Sequence, residues 1–253
     1  MIAGFTLPVA AYSLACVLAA AVVRGYSGFG FSLLVITALS LALPPADVVP
    51  AVFMLEIAAS LNLLPTIWRQ ADWRAIAWLI AGTIIGTPPG VWLLASVPAA
   101  PMKLALGLFV LTASALLARG FVLRRAPGRG ATLATGALAG LLNGSFGIGG
   151  PPVILFFFSS PAGAAAGRAS VIAFFMLIDV VGLAFFAQQG LVTEASLWRF
   201  LMFLPPLLLG IWLGQRSFTS ADPAAFRRWT LRILMGLALL VGAQGAGVIL
   251  SLT

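Results

Sequence analysis

Ten apolar runs succeed one another along the 253 residues, separated by short segments rich in glycine, proline or charged residues. Most runs approach the roughly 20 residues that a helix needs to cross a hydrocarbon core about 30 Å thick. This pattern predicts an all-α integral membrane protein whose first run is a retained helix. In residue numbers the runs are about 5–23, 29–43, 48–64, 75–95, 102–123, 131–142, 152–158, 169–187, 197–214 and 229–250.

The runs fall into two halves of five, and short sequence matches indicate an internal duplication. Residues 1–123 form the first predicted transmembrane repeat, 124–130 a basic linker, and 131–253 the second repeat. Phe53-Met-Leu in the third run matches Phe175-Met-Leu in the eighth. Similar matches in the same order, at nearly the same offset, favour duplication over chance.

Each half contains a glycine-rich motif where its first two runs meet. The first is Arg24-Gly-Tyr-Ser-Gly-Phe-Gly-Phe31, and the second is Asn143-Gly-Ser-Phe-Gly-Ile-Gly-Gly-Pro-Pro152. Glycine disfavours helix and adopts backbone conformations that other residues avoid. We expect both stretches to be unwound. Because lipid tolerates non-helical backbone only where protein or water surrounds it, we expect them to face a cavity.

A paired Gly-x-x-Gly-x-Gly motif, near the N-terminus and again just after the middle of a membrane protein of this length, resembles the TauE/SafE family of anion exporters. The likeness covers essentially the whole chain. The first copy departs from the family pattern, with Phe31 and Ser32 where the second copy has Gly150 and Pro151. The resemblance implies transport of small oxyanions such as sulfite or organosulfonates, whereas the residues themselves indicate only a small anion.

The second motif has features of an anion site. Gly150-Pro-Pro can begin a helix with proline in its first turn, so that free N–H groups and the positive end of the helix dipole point at the glycine loop. We expect one central site where the two motifs meet. The alternative is that the glycines only let helices pack closely. The candidate substrate-binding residues are Arg24, Gly25, Tyr26, Ser27, Gly28, Gly30, Asn143, Gly144, Ser145, Gly147, Gly149, Gly150 and Pro151.

Three ionisable residues in the apolar regions are further candidates. Arg24 is either a substrate-binding cation at membrane depth or an anchor at the cytoplasmic interface. Glu56 and Asp179 lie at matching positions near the centre of the third run of each half. They are predicted either to carry a coupling proton or to be structural partners of Arg24 or of hydroxyls such as Ser60.

Runs 131–142 and 152–158 are too short to cross the membrane and predict a re-entrant hairpin, while the first two runs form either a similar hairpin or two full spans. Most arginines lie toward one side of the membrane, which is therefore cytoplasmic, whereas Lys103 and Arg199 lie toward the other. Gly128 in the linker is then cytoplasmic and both termini are outside. Five segments per half make the second repeat inverted relative to the first, as in many secondary transporters.

Composition excludes several other classes of protein. With 62% hydrophobic and 8% charged residues, the chain has too few polar residues for a soluble domain. The absence of histidine and the single Cys16 exclude Ser-His triads, His-ligated zinc and intrachain disulfides. The net charge of +8 is spread over short loops, so no nucleic-acid partner is expected. No nucleotide-binding glycine loop with lysine is present.

We therefore expect a secondary transporter in the cytoplasmic (inner) membrane that works by alternating access, with or without proton coupling. Its expected partners are a small anion and the lipid bilayer, and no cofactor or metal is expected. A passive anion channel and, with less support, an integral membrane enzyme are the alternatives. Nothing in the sequence indicates an oligomeric state.

Overall fold

The computed structural model describes residues 5–27, 30–118, 128–158, 163–217 and 223–251, and these residues form ten α-helices. Each predicted apolar run contains one of these helices, whereas residues 119–123 of the fifth run and 124–127 of the linker lie outside the described part of the chain. The helices are α1 (Leu7–Ser27), α2 (Phe31–Leu39), α3 (Pro45–Ile67), α4 (Trp73–Ser96), α5 (Ala99–Ala118), α6 (Arg129–Phe146), α7 (Gly150–Phe158), α8 (Gly163–Gln188), α9 (Glu194–Ser217) and α10 (Pro223–Leu250).

The glycine-rich motifs are less unwound than predicted. α6 has 18 residues because the helix continues from Asn143 through Phe146, and only residues 147–149 lie between α6 and α7. In the first motif, residues 24–27 are the last residues of α1. Non-helical backbone is seen there at Gly30, and residues 28–29 lie outside the described part of the chain. The predicted length of the sixth segment, about 12 residues, was therefore wrong.

Six helices are long and apolar enough to cross a membrane among the residues that the structure describes. By contrast, α2 and α7 have nine residues each, which gives each a length of about 14 Å. Neither can cross a core of about 30 Å alone. Large apolar side chains such as Leu208, Trp212 and Leu239 are about half exposed, as expected for a surface that faces lipid. The chain is thus a multi-pass membrane protein.

The chain divides into two compact units. Unit 1 contains Met1–Leu55, Val97–Arg119 and Thr193–Thr253, and unit 2 contains Glu56–Ser96 and Gly120–Val192. Each unit takes helices from both predicted halves, so the compact units do not follow the repeat boundaries. The division into two sequence repeats stays a prediction.

In unit 1, α1 packs against α9 and α5 packs against α10. Gly210 lies against Leu18, and Gly214 lies against Val22 one turn further along both helices, so α1 and α9 are parallel. Such close backbone contacts require residues without a side chain, a common solution in membranes. On α5 and α10 the contacts run in the opposite order, with residue 107 near 238 and residue 245 near 100, so this pair is antiparallel.

In unit 2, α4 and α6 form the closest helix pair, and they are also parallel. Gly136 lies against Leu79, and Gly140 lies against Thr83 one turn later. The Thr83 hydroxyl donates to the carbonyl oxygen of Leu79, at 3.0 Å, and reaches that of Gly136 across the interface at 3.2 Å. Glycine is a poor helix former, but here close helix contacts offset that cost.

The two parallel pairs make matching contacts at their glycine motifs. A Cβ at Gly25 of α1 would overlap the backbone of Ile211 on α9, and one at Gly144 of α6 would lie 2.8 Å from the backbone nitrogen of Val91 on α4. Gly25 and Gly144 hold equivalent places in the two motifs, and Ile211 and Val91 follow the matching glycines of α9 and α4. Each unit therefore pairs the first helix of one half with the fourth helix of the other half in the same way.

These contacts predict that Gly86→Ala destabilises the protein. Its Cβ would overlap the carbonyl oxygen of Ala137 on α6, and overpacking of this kind costs about 1–3 kcal/mol. We expect a lower melting temperature in detergent. Gly236→Ala on α10 is the matched control, because nothing lies within 4 Å of its Cβ position. Equal melting temperatures for the two variants would contradict the helix contact described above.

Candidate anion site

The backbone of unit 2 leaves helical geometry between α6 and α7. Gly147 caps α6 with φ 70°, in the left-handed region that glycine adopts without strain. Its N–H donates to the carbonyl oxygen of Asn143 at 2.7 Å. The residues of this break, 147–149, are all buried. The break therefore lies inside protein, as the cost of unsatisfied peptide groups in lipid requires.

The side chain of Asn143 holds the break together. It is 2% exposed, and its Oδ1 accepts a hydrogen bond from the N–H of Gly149 at 3.1 Å. Its Nδ2 donates to Oδ1 of Asp179 on α8 at 3.2 Å. One residue thus satisfies N–H groups at both ends of the break and connects the break to a buried acid.

The orientation of the Asn143 amide follows from its two partners. The N–H of Gly149 can only donate, so it needs the amide oxygen. An ionised Asp179 can only accept, so it needs the amide nitrogen. With the carboxylate ionised, a single orientation of the amide meets both requirements.

Asp179 is buried in unit 2, with 5% of its surface exposed. α4, α6 and α7 are near α8 in unit 2. The ionisable residues on them are Arg74, in the first turn of α4, and Arg129, the first residue of α6; α7 has none. The Asn143 amide on α6 is a hydrogen-bond partner of Asp179.

The start of α7 offers fewer N–H groups than predicted. Asn143 already accepts hydrogen bonds from Gly147 and Gly149, and Pro151-Pro152 carry no N–H at all. Gly150 is the amide that remains at the helix start. The expectation of several free N–H groups here is wrong for this conformation, because a break buried away from water satisfies its donors internally.

The break is also closely packed. A Cβ at Gly149 would lie 2.9 Å from the carbonyl oxygen of Ala139 and 3.0 Å from Cδ1 of Ile178. A Cβ at Gly150 would lie 3.3 Å from the ring of Phe175 on α8. Ser145, the other predicted donor of this motif, is 3% exposed. Pro151 is buried in the first turn of α7.

Gly25 and Gly144 are explained by helix packing. Gly144 lies in α6, and its Cβ would be 2.7 Å from the carbonyl oxygen of Thr87 on α4. Likewise, a Cβ at Gly25 would overlap the carbonyl oxygen of Ile211 on α9. For these two glycines the contacts agree with the packing alternative.

The first motif provides different chemistry. Arg24 is 3% exposed and Tyr26 is 5% exposed, so the burial of Arg24 does not fit a side chain that reaches out to the interface. Gly30, with φ 91° in the left-handed region, precedes α2 and provides no side-chain cap. No proline occupies the first turn of α2, which therefore keeps its N–H groups. The side chain of Ser27 and the whole of Gly28 lie outside the described residues.

Glu56, the acid that matches Asp179 in the first half, is also buried. It lies in α3 with 3% exposure, and Ser60, one turn later on the same helix, is 1% exposed. Both predicted acids are therefore removed from water, as a coupling role or a structural role would each require.

One buried cation was missed by the sequence analysis. Arg199, which served in the sequence analysis only to assign the sides of the membrane, lies in α9 and is 9% exposed. Its Nη1 donates to the backbone carbonyl oxygen of Asp47 at 2.5 Å, and its guanidinium lies 4.9 Å from the ring centre of Phe5. These residues are far apart in sequence, and no local pattern connects them.

Among the residues that the structure describes, no group of three or more His, Cys, Asp or Glu side chains could hold a metal ion. The described site in unit 2 is built from an amide, a carboxylate and glycine backbone.

Comparison with known proteins decides the family. The family model described as "Sulfite exporter TauE/SafE" matches residues 13–243, which include both glycine motifs and both buried acids. The chain belongs to the TauE/SafE family. This confirms the resemblance drawn from the paired glycine motif.

Two curated relatives of this TauE/SafE protein cover most of its length. A protein of Cupriavidus necator named "Probable sulfite/organosulfonate exporter TauE" is 30% identical over 219 residues, which are 83% of this chain and 85% of the relative. A protein of Comamonas testosteroni named "Probable inner membrane transporter protein TsaS" is 29% identical over 192 residues, 74% of this chain and 80% of the relative. No solved structure matches the chain.

As a TauE/SafE protein, the chain is a membrane transporter and not an enzyme. The sequence-based prediction on this point is confirmed.

Proposed function

We propose that this protein is a secondary transporter that moves sulfite, an organosulfonate or a related small organic anion across the cytoplasmic membrane by alternating access. The substrate class is supported by the relative whose name is sulfite/organosulfonate exporter. The location in the inner membrane is supported by the relative named as a probable inner membrane transporter protein. The observation that carries the proposal is a buried helix break, bonded to a buried carboxylate, in a chain that the family model covers almost completely.

The substrate is proposed to bind at the glycine breaks. In unit 2 the donors for an oxyanion are the amides of Gly149 and Gly150 together with the side chains of Asn143 and Ser145. In unit 1 they are the N–H groups at the start of α2, next to Arg24 and Tyr26. Helix N-termini and glycine backbone suit an anion because N–H groups can approach it closely. That the two motifs line one common path stays a prediction.

The inverted arrangement of the two halves is supported by helix directions. In the proposed topology the first and fourth helices of one half run in opposite directions across the membrane. α1 and α9 are parallel, and so are α4 and α6. Parallel pairing of the first helix of one half with the fourth of the other needs halves of opposite orientation, as in transporters with inverted repeats.

Proton coupling is proposed for Asp179 and Glu56. An ionised carboxylate away from water is costly unless it is paired, so such residues in membrane segments commonly have a functional role. Protonation during the transport cycle removes that cost. The Asn143 amide beside Asp179 can bond either form of the carboxyl group.

Gly147→Ala should weaken anion binding by more than its effect on folding explains. Alanine at positive φ costs about 1–2 kcal/mol. Its methyl group also takes up space beside the backbone of the break. Gly190→Ala is a matched control, since Gly190 has the same φ of 70° with nothing within 4 Å of its Cβ position. We expect similar melting temperatures for both variants but weaker methanesulfonate binding, by titration calorimetry, for Gly147→Ala alone. Equal affinities would remove the break from the site.

The proposed topology places Gly128 in the cytoplasm and the turn after α8 outside. Gly128 and Gln189 are both exposed. In a Cys16→Ser background, Gln189→Cys should react with an impermeant thiol reagent on intact cells, whereas Gly128→Cys should react only after lysis. The opposite labelling pattern would reverse the topology.

The coupling proposal predicts a separation of two transport activities. Glu56→Gln or Asp179→Asn should abolish uptake driven by a pH gradient into proteoliposomes and leave exchange of labelled substrate largely intact, because exchange needs no net proton movement. Full gradient-driven accumulation in both variants would make the acids structural. Conductance far above carrier turnover in the wild type would instead indicate a channel.

A further inference from the structure

The strongest unassigned feature is the hydrogen-bond chain from Asp179 through the Asn143 side chain to the N–H of Gly149. Asn143 bonds both the buried acid and the backbone of the break. We propose that the Asn143 amide is a proton-dependent switch: protonation of Asp179 allows the amide to turn over, which releases the Gly149 N–H and presents a second donor to the anion. This inference rests on the proposed function, because it needs an anion at the break.

When Asp179 is ionised, the hydrogen bonds of Asn143 prevent an anion from binding to the Gly149 N–H. Asn143 Nδ2 donates to the carboxylate at 3.2 Å, and Oδ1 occupies the Gly149 N–H at 3.1 Å. An anion that approached Gly149 would have to displace the amide oxygen. If the amide turned over, its oxygen would face the ionised carboxylate. Two hydrogen-bond acceptors would then lie together with no proton between them, and this is unfavourable in a buried site.

Protonation of Asp179 removes this obstacle. The carboxylic acid can donate its proton to Asn143 Oδ1, so the turned amide is satisfied on that side. On the other side Nδ2 replaces Oδ1 beside the Gly149 N–H, so that two donors face each other, and an oxyanion that accepts from both satisfies them. Anion and proton each favour the same orientation, so each increases the affinity for the other, as linkage requires.

Apart from Asp179, the ionisable residues of α8 and of the helices near it lie in the N-terminal parts of those helices. On the helices near α8, Arg74 and Arg129 lie at the N-terminal ends of α4 and α6, and α7 has no ionisable residue. On α8 itself, Arg168 precedes Asp179 by 11 residues, about 16 Å along the helix. Glu56 is the other buried acid assigned to unit 2, and the experiment below tests it separately.

Asn143 is thus a positioning residue for coupling. Its removal should abolish the pH dependence of anion affinity and not only weaken anion binding. The experiment measures methanesulfonate binding to the purified full-length protein in detergent between about pH 5 and about pH 8. Methanesulfonate keeps its charge over this range, so any pH dependence belongs to the protein. For the wild type we expect affinity to fall at least about fivefold as the pH rises.

In Asn143→Leu, of similar size but without hydrogen bonds, affinity should be weak and nearly independent of pH, although Asp179 is still present. In Asp179→Asn, whose amide can donate as the protonated acid does, affinity should stay at the low-pH value throughout. Thr83→Val is the matched control. It removes a different buried hydrogen-bonding group of unit 2, the Thr83 hydroxyl. This variant should have a lower melting temperature but keep the pH dependence of methanesulfonate affinity.

Several results would overturn the switch. An Asn143→Leu variant with the wild-type pH dependence would mean that Asp179 acts through its charge alone. If Asn143→Leu does not fold, Asp179→Asn decides alone, and a remaining pH dependence in it rejects the switch. Loss of the pH dependence in Glu56→Gln but not in Asp179→Asn would assign coupling to Glu56. A wild type that binds equally at every pH rejects the switch but not the site, whereas a wild type that binds no methanesulfonate at any pH rejects the proposed site as well.

Discussion

A peptide group buried in a membrane protein must find its hydrogen-bond partner within the protein, and the break between α6 and α7 depends on this constraint. Three residues leave helical geometry there, and Asn143 satisfies N–H groups at both ends with its carbonyl and amide oxygens. The prolines that follow have no N–H to satisfy. The N–H groups of Gly147 and Gly149 are therefore satisfied without water.

Glycine serves two physically different purposes in this chain. On α4, α6 and α9 it lets parallel helices approach until backbone touches backbone, which no larger residue permits. At Gly30, Gly147 and Gly190 it provides positive φ. A glycine of the first kind maintains a unit, whereas one of the second kind lies at a helix boundary: Gly147 and Gly190 follow a helix and Gly30 precedes one. The paired motif combines both kinds, since Gly144 packs and Gly147 turns.

The two copies of the motif have the same backbone plan but different chemistry. The second combines an amide, a carboxylate and a proline-blocked helix start, a network that can respond to a proton. The first has a buried arginine where the second has Asn143, and a helix start that keeps its N–H groups. A fixed positive charge and backbone donors suit an anion, whereas the amide and acid suit coupling.

Much of this protein follows from sequence alone. The apolar runs determined ten helices, because a chain so poor in charge can satisfy its backbone in lipid only as helix. The paired glycine motif determined the family and located the breaks, and the depth of Glu56 and Asp179 marked both as buried. Which glycines turn and which pack, the continuation of α6 through Phe146, and the burial of Arg199 against Asp47 were decided only by tertiary structure. So was the bond between Asn143 and Asp179, 36 positions apart. These features depend on which helices are neighbours. No local sequence pattern predicts that helices of the two predicted halves pack together within one unit. A glycine that contacts a neighbouring helix cannot be distinguished in the sequence from one with open space beside it.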